Sequence, residues 1–282
     1  MSQARLMDGT GLARRIVDET AKRAADLTER TGLAPCLATV LVGEDPASVT
    51  YVRMKQNRSC KAGIESRHVA LPAGTTTDEL IGTLTELSAD PTVHGILLQH
   101  PMGHHIDERA AFEAIAPEKD VDGVTLASFS AMSFGLPGFA SCTPGGIMRL
   151  LDEYDVDPAG KRAVVVGRSA ILGKPVGMLL LGRDATVTYC HSRTADLSAI
   201  VREADIVVAA VGRPRLIRGE DIKPGAVVVD AGYNPGNIGD VDFDSARERA
   251  SLITPVPGGV GPMTIATLLA QTVEAATRQT GA

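Results

Sequence analysis

No apolar run in this chain approaches the length of a bilayer-spanning helix, and its first ten residues lack the basic and apolar regions of a secretory signal. A cytoplasmic protein without a membrane partner is expected. Positive charge is also scarce. With 28 Lys and Arg against 34 Asp and Glu the formal net charge is −6, which gives nucleic acid no reason to bind and requires any anionic ligand to be met locally. Cysteine is sparse too. Cys36, Cys60, Cys142 and Cys190 stand without metal-ligand spacing, and the six histidines form no pattern with them. Buried thiols are expected, with no disulfide framework and no metal.

What remains is an ordinary soluble composition, 44% hydrophobic and 22% charged, in 282 residues. That length is generous for one core, so two domains are the expectation. Leu12 to Leu27 carries apolar residues at helical spacing, and Gly32 is a plausible stop. Cys36 to Val42 is apolar on both faces, as a parallel strand covered by helices should be. The stretch GEDPASVTYVRMKQNRSCKAG begins as a turn and continues as a helix ended by Gly63, with Tyr51 and Lys55 four apart on one face. Strand patterns at Arg67 to Leu71 and Val93 to Gln99 bracket a helix pattern at Thr77 to Leu87. An α/β unit is therefore complete within the first hundred residues.

Next come a short helix, Glu108 to Ile115, and the turn PEKDVDG from Pro117 to Gly123. Its acids and lysine beside a glycine suit a solvated turn as well as a site. Val124 to Ser141 reads as a small, polar connector, and Cys142-Thr143-Pro144-Gly145-Gly146 introduces a helix from Ile147 to Glu153. The domain boundary is placed near Thr143.

The chain is organised around Val164 to Gly177, VVVGRSAILGKPVG. A β-branched strand ends at Gly167, and a tight turn leads through Arg168 and Ser169 to a helix headed by Gly173. Outward backbone N–H groups at such a helix start would seat a phosphate. The glycine spacing departs from the usual G-x-G-x-x-G fingerprint, so the glycines alone suit an ordinary strand-to-helix turn equally well. Strands at Ala163 to Val166, Thr186 to Tyr189, Ile206 to Ala210 and Ala226 to Asp230, with helices around Val176 to Leu181 and Leu197 to Glu203, make this half Rossmann-like. An NAD site would place an acid at the end of the second strand, to accept from the ribose hydroxyl. Here Cys190 is followed by His191, Ser192, Arg193 and Thr194. Arg193 and Ser192, with Arg168, would welcome a 2′-phosphate, so NADP fits better than NAD. The plainer alternative is a solvated basic turn. Near the end, ITPVPGGVGPMT precedes a helix from Ile265 to Ala276. So many glycines and prolines specify a backbone shape that is costly unless used. The last helix has no strand to follow and is expected to pack back on the first domain.

These stretches together resemble the bifunctional methylenetetrahydrofolate dehydrogenase/methenyltetrahydrofolate cyclohydrolase enzymes over essentially the whole chain. The matching motifs, in order, are VGEDPAS with YVRMK, the strand end at Gln99, PEKDVDG, CTPGGI, VVVGRSAILGKPVG, TVTYCHSRT and ITPVPGGVGPMT. The resemblance implies a homodimer of protomers with two α/β domains, folate in the cleft between them and NADP on the second, Rossmann-like domain. Residues 1–143 with 261–282 would form the folate-binding catalytic domain, and residues 144–260 the NADP-binding domain. Position by position, it implies that Tyr51 packs on the folate, Lys55 is the catalytic lysine, Gln99 tunes that lysine and Asp122 grips the pterin. Gly258, Gly259, Val260, Gly261 and Pro262 would border the folate. Gly167, Arg168, Ser169, Gly173, Pro175, Ser192 and Arg193 would hold the cofactor. Without the resemblance, Lys55 reads as a surface lysine lying over Tyr51.

Two departures from the family pattern stand out. His100 follows Gln99 where the family has an apolar residue, and Tyr233 replaces an aliphatic residue in a shortened loop after Asp230. They leave open a dehydrogenase with weak or lost cyclohydrolase activity, and a catalytically silent folate- or nucleotide-binding protein is a further alternative. A short-chain dehydrogenase also pairs Tyr-x-x-x-Lys with NADP, but there the nucleotide turn precedes the pair, and here it follows.

Overall fold

Among residues 3–43 and 58–282, which the computed structural model describes, nine parallel strands fall into two sheets. Tyr51, Lys55 and most of the VGEDPAS–YVRMK stretch lie outside the described residues. Two compact units emerge. One comprises residues 1–14, 132–135 and 141–267, and the other residues 15–131, 136–140 and 268–282. Helix α1 (Gly9–Thr31) begins in the first of these units and continues into the second.

The second unit is built on β2 (Cys36–Val42), flanked by β3 (Glu65–Leu71) and β4 (Gly95–Leu98). Every residue of β2 and β4 is buried, whereas β3, an edge strand carrying Glu65, Arg67 and His68, is largely exposed. This is the distribution expected of a central parallel strand covered on both faces and an edge kept polar. One face of β2 and β4 packs Ala38, Val40, Ile96 and Leu98 against Leu80, Leu84 and Leu87 of α2 (Thr77–Ala89) and Phe112 of α3 (Glu108–Glu113). A reciprocal capping box starts α2: Thr76 Oγ1 accepts from Glu79 N–H, and Glu79 accepts from Thr76 N–H at 2.8 Å. Buried Lys119 closes its other end, donating to the carbonyls of Leu87 and Asp90 at 3.3 and 2.6 Å. The last part of the C-terminal helix belongs to this unit as well. Gln271 donates to Val121 O at 2.7 Å and Gln279 to His94 O at 2.8 Å.

The other unit holds the six-stranded sheet, in the order β1-β9-β8-β7-β5-β6. Its strands are β1 (Arg5–Leu6), β5 (Arg162–Val166), β6 (Thr186–Cys190), β7 (Ile206–Ala209), β8 (Val227–Asp230) and β9 (Leu252–Ile253). Valine-rich β5, β7 and β8 are buried almost throughout. The chain leaves β5 through α6 (Gly173–Leu181) to β6, then α7 (Leu197–Arg202) carries it to β7 on the other side of β5. Residues near the N-terminus join this unit because β1 pairs with β9, Arg5 beside Leu252 and Leu6 beside Ile253.

Several elements differ from the sequence reading. The supposed connector after Val124 contains α4 (Leu126–Phe134), which buries little beyond Ser128 and leaves its apolar Leu126 and Phe134 exposed, so it shows no core-facing helical stripe. Helix α5 (Cys142–Glu153) begins five residues early, and the final helix, α9 (Val260–Thr280), takes in the end of the glycine- and proline-rich stretch. In α5, α6 and α9 alike a proline stands third: Pro144, Pro175 and Pro262. First-turn N–H groups have no intrahelical acceptor, so a proline there removes nothing. Helix α8 (Phe243–Arg247) and the two-residue strands β1 and β9 are too short to carry a period. Cys36, Cys142 and Cys190 are buried, but Cys60 is exposed.

Gly95 shows how tightly the smaller sheet is covered. A Cβ there would lie 2.8 Å from Val121 Cγ2, itself fully buried beside Asp122. Gly95→Ala should therefore lower the unfolding free energy by about 1–3 kcal/mol in urea denaturation. An unchanged midpoint would contradict this packing.

Candidate functional site

The carboxyl ends of β5, β6, β7 and β8 lie along one edge of the six-stranded sheet, because all four strands are parallel. Ligands of open α/β sheets bind along that edge, beside the strand where the order reverses. Here that strand is β5. At its end the backbone leaves no room for side chains. Gly167 has φ +139°, and a Cβ on it would overlap Ala210 O; a Cβ on Gly173 would lie 2.5 Å from Gly167 O and 2.8 Å from Arg168 N. Gly177, one turn into α6, is equally constrained by the Tyr189 ring, whose hydroxyl donates to Lys174 O at 2.9 Å.

Ser169 organises the turn. Its Oγ accepts from the N–H groups of Leu172 and Gly173, both at 3.2 Å, and its carbonyl accepts from Lys174 N–H at 3.0 Å. The start of α6 thus differs from the row of outward N–H groups expected from the sequence, because Ser169 takes those donors. Holding two donors on its oxygen, the Ser169 hydroxyl has its own proton to offer an anion. Arg168 and Ser169 are exposed, while Gly173 and Pro175 are buried.

On the neighbouring strand, Gly167 N–H donates to Cys190 O at 2.9 Å, which ties the glycine turn to the end of β6. The four residues beyond Cys190 close on themselves. His191 N–H donates to Thr194 Oγ1 at 2.8 Å, Thr194 N–H to His191 O at 2.9 Å, and Arg193 N–H to His191 Nδ1 at 3.1 Å. Ser192 and Arg193 stand exposed on this turn. The cradle suits a dinucleotide phosphate group: cleared of side chains at 167 and 173, with hydroxyl and guanidinium donors at its rim.

Gly258 and Gly259 precede α9, and Val260, Gly261 and Pro262 form its first turn. Gly258 has φ +106°, its carbonyl accepts from Thr10 N–H at 2.9 Å, and a Cβ on Gly259 would lie 2.7 Å from Pro255 O. The loop shape is accordingly fixed by main-chain contacts that exclude side chains.

In the unit of the smaller sheet, Gln99 stands just past β4, nearly buried, and its Nε2 donates to His100 O at 2.6 Å. That orients the amide with Oε1 as its acceptor end. His100 Nδ1 lies 2.8 Å from Glu108 Oε1, and its ring packs at 4.9 Å from Phe112. The acids of PEKDVDG divide their roles. Asp120 is fully buried and accepts from Val124 and Thr125 N–H at 3.1 and 2.9 Å, while Asp122 is partly exposed. Asp120 thereby shapes the turn that carries Asp122.

Missing from the sequence reading is a pair of buried carboxylates near the end of β8. Asp230 accepts from the N–H groups of Gly232, Asp240 and Val241 at 2.9, 3.0 and 2.9 Å, and Asp240 in turn accepts from the loop after β7. Burial pushes the Asp230 carboxyl up to about 6; those N–H groups oppose the rise and the Asp240 charge adds to it. An acid with a higher pKa folded than unfolded contributes its stability below the unfolded value, about 3.9, and loses it as pH rises through the folded one. Unfolding free energy should therefore fall by about 2 kcal/mol from this group between pH 4 and 7. Asp230→Asn should lack that component in urea denaturation over the same range. Parallel profiles for variant and parent would contradict it.

Comparison with known proteins agrees with this geometry. Residues 7–122 match the family described as tetrahydrofolate dehydrogenase/cyclohydrolase, catalytic domain, and residues 141–280 match its NAD(P)-binding domain. A relative from Streptomyces avermitilis, called bifunctional protein FolD 1, is 81% identical over 278 residues, 99% of this chain and 97% of the relative. The structure of the Campylobacter jejuni bifunctional enzyme FolD, a methylenetetrahydrofolate dehydrogenase/cyclohydrolase, is 43% identical with a TM-score of 0.95, covering 98% of this chain and 99% of that one. The Trypanosoma brucei N5,N10-methylenetetrahydrofolate dehydrogenase-cyclohydrolase, solved with NADP and an inhibitor, is 40% identical with a TM-score of 0.96 over 100% of both chains. By sequence over both of its parts and by fold, the chain belongs to the tetrahydrofolate dehydrogenase/cyclohydrolase family.

Proposed function

We propose that this protein oxidises 5,10-methylenetetrahydrofolate to 5,10-methenyltetrahydrofolate with NADP and hydrolyses the product to 10-formyltetrahydrofolate. The observation that carries the cofactor choice is the end of β6, where Ser192 and Arg193 stand exposed and no carboxylate follows Cys190. An acid there would repel a 2′-phosphate, and a guanidinium attracts it. Gly167, Arg168, Ser169, Gly173 and Pro175 shape the adjoining phosphate cradle.

NADP, when bound, accepts the hydride. The cation left on the one-carbon bridge is shared by two nitrogens, so the chain's task in that step is alignment more than proton transfer. Hydrolysis of the methenyl bridge needs attack by water and proton movement at a ring nitrogen. Lys55, outside the described residues, is the candidate for that proton transfer, with Tyr51 packing on the folate. Gln99 presents its acceptor end to tune the lysine. Asp122 grips the pterin, and Gly258 to Pro262 border the substrate. In this reading residues 1–143 with 261–282 serve folate and residues 144–260 serve NADP. The protein works in the cytoplasm as a homodimer. No helix among the described residues is long and apolar enough to cross a membrane.

A spectrophotometric assay with 5,10-methylenetetrahydrofolate, run separately with NADP and NAD, tests both steps. NADP reduction followed by formyl product is expected. Accumulating methenyl product would reduce the protein to a dehydrogenase, and no reduction with either cofactor would contradict the reading. Arg193→Ala should raise the KM for NADP about tenfold and leave that for NAD unchanged; an unaltered ratio removes Arg193 as the phosphate reader. Lys55→Ala should lower cyclohydrolase turnover by about a hundredfold or more and hydride transfer much less. Equal losses would contradict the division of labour.

A further inference from the structure

Asp240 is wholly buried, and its carboxylate collects main-chain donors from three consecutive residues. Oδ2 accepts from Val211 and Gly212 N–H at 2.6 and 2.9 Å, and Oδ1 accepts from Arg213 N–H at 2.8 Å and Asn234 Nδ2 at 3.2 Å. A buried carboxylate is tolerable when donors surround it, and these leave no acceptor capacity idle. The lacing continues through the main chain. Arg215 N–H donates to Gly239 O and Ile217 N–H to Asp240 O, both at 3.0 Å. Room for the carboxylate depends on Gly232, where a Cβ would overlap the Asp240 carboxyl group.

The segment held in this way begins at the end of β7, against the glycine turn. Ala210 N–H donates to Val166 O at 2.8 Å, and Ala210 O is the atom that a Cβ on Gly167 would overlap. In the sheet, β6 and β7 flank β5 on opposite sides. A dinucleotide at such a switch point extends over both flanks. The β6 flank carries Ser192 and Arg193, so the β7 flank, with residues 210–213, falls to the other half of the molecule.

We propose that Asp240 is a positioning residue for the nicotinamide half of the cofactor, holding the backbone of residues 211–213 in the shape against which that half seats. The proposal rests on the NADP reading above. A carboxylate is required because every group facing Asp240 in these contacts is a donor. An asparagine would turn an NH₂ toward at least one of them, and a buried donor would lose its partner.

The test is the binding of two ligands to wild type, Asp240→Asn and Gly232→Ala: NADPH, followed by its nicotinamide fluorescence, and 2′,5′-ADP, which lacks the nicotinamide half, followed by calorimetry. Both variants should weaken NADPH by about tenfold and 2′,5′-ADP by no more than about twofold, with the fluorescence change on binding reduced. Equal weakening of both ligands, as general loosening of the unit would give, overturns the proposal, and so does unchanged NADPH affinity. Wild type that binds neither ligand instead overturns the cofactor reading beneath it. Should Asp240→Asn fail to fold, Asn234→Ala, which withdraws one donor, is expected to weaken NADPH alone by about threefold, and an unaltered ratio of the two affinities counts against Asp240.

Discussion

Backbone-on-backbone contact at the end of β5 is the constraint on which the larger unit depends. Gly167 lies against Ala210 O, and Gly173 against Gly167 O, with no space for a Cβ at either position. The first contact fixes the loop after β7 against β5, and the second brings the start of α6 down onto the strand end. Ser169 completes the turn by taking the first donors of α6. Parallel pairing then sets the ends of β5, β6, β7 and β8 on one edge. A methyl group at residue 167 or 173 would separate pieces whose value lies in their contact.

Buried carboxylates do for the loops what strand pairing does for the sheets. Backbone N–H groups in irregular segments still need acceptors when buried. Asp240 supplies them to residues 211–213, Asp230 to Gly232, Asp240 and Val241, and Asp120 to Val124 and Thr125. Each holds a loop at or near a proposed ligand-binding edge. The acids proposed to meet ligand and the acids that shape the loops are consequently neighbours in sequence: Asp120 lies inside the turn, and Asp122, two residues on, is partly exposed.

Much of this was legible in the chain itself. Runs such as Ala163 to Val166 and Val227 to Val229 are continuous apolar segments because both faces of a parallel strand are covered. The tight turn from β5 into α6 could be read from its glycines, although these alone did not mark it as a nucleotide site, and the preference for NADP came from the missing acid after Cys190. Other features were hidden for physical reasons. Helix α4 buries too little to need an apolar stripe, and the two-residue β1 has only β9 to pair with. The starts of α5 and α9 looked like loops because glycine and proline are as acceptable in a first turn as outside a helix. Asp240 was invisible because its partners at 211–213 lie nearly thirty residues away. Its adjoining glycine, Gly239, was the available clue, since a Cβ there would overlap the Asp230 carboxylate.

The central claim is that the carboxyl edge of the six-stranded sheet receives NADP, with the glycine turn under its phosphates and the turn after β6 reading its 2′-phosphate. A crystal structure of the protein with NADP tests this most directly. The account predicts the 2′-phosphate within hydrogen-bonding distance of Ser192 and Arg193 and the pyrophosphate over residues 167–173. A cofactor bound on another edge, or a 2′-phosphate that points to solvent away from Arg193, would contradict it.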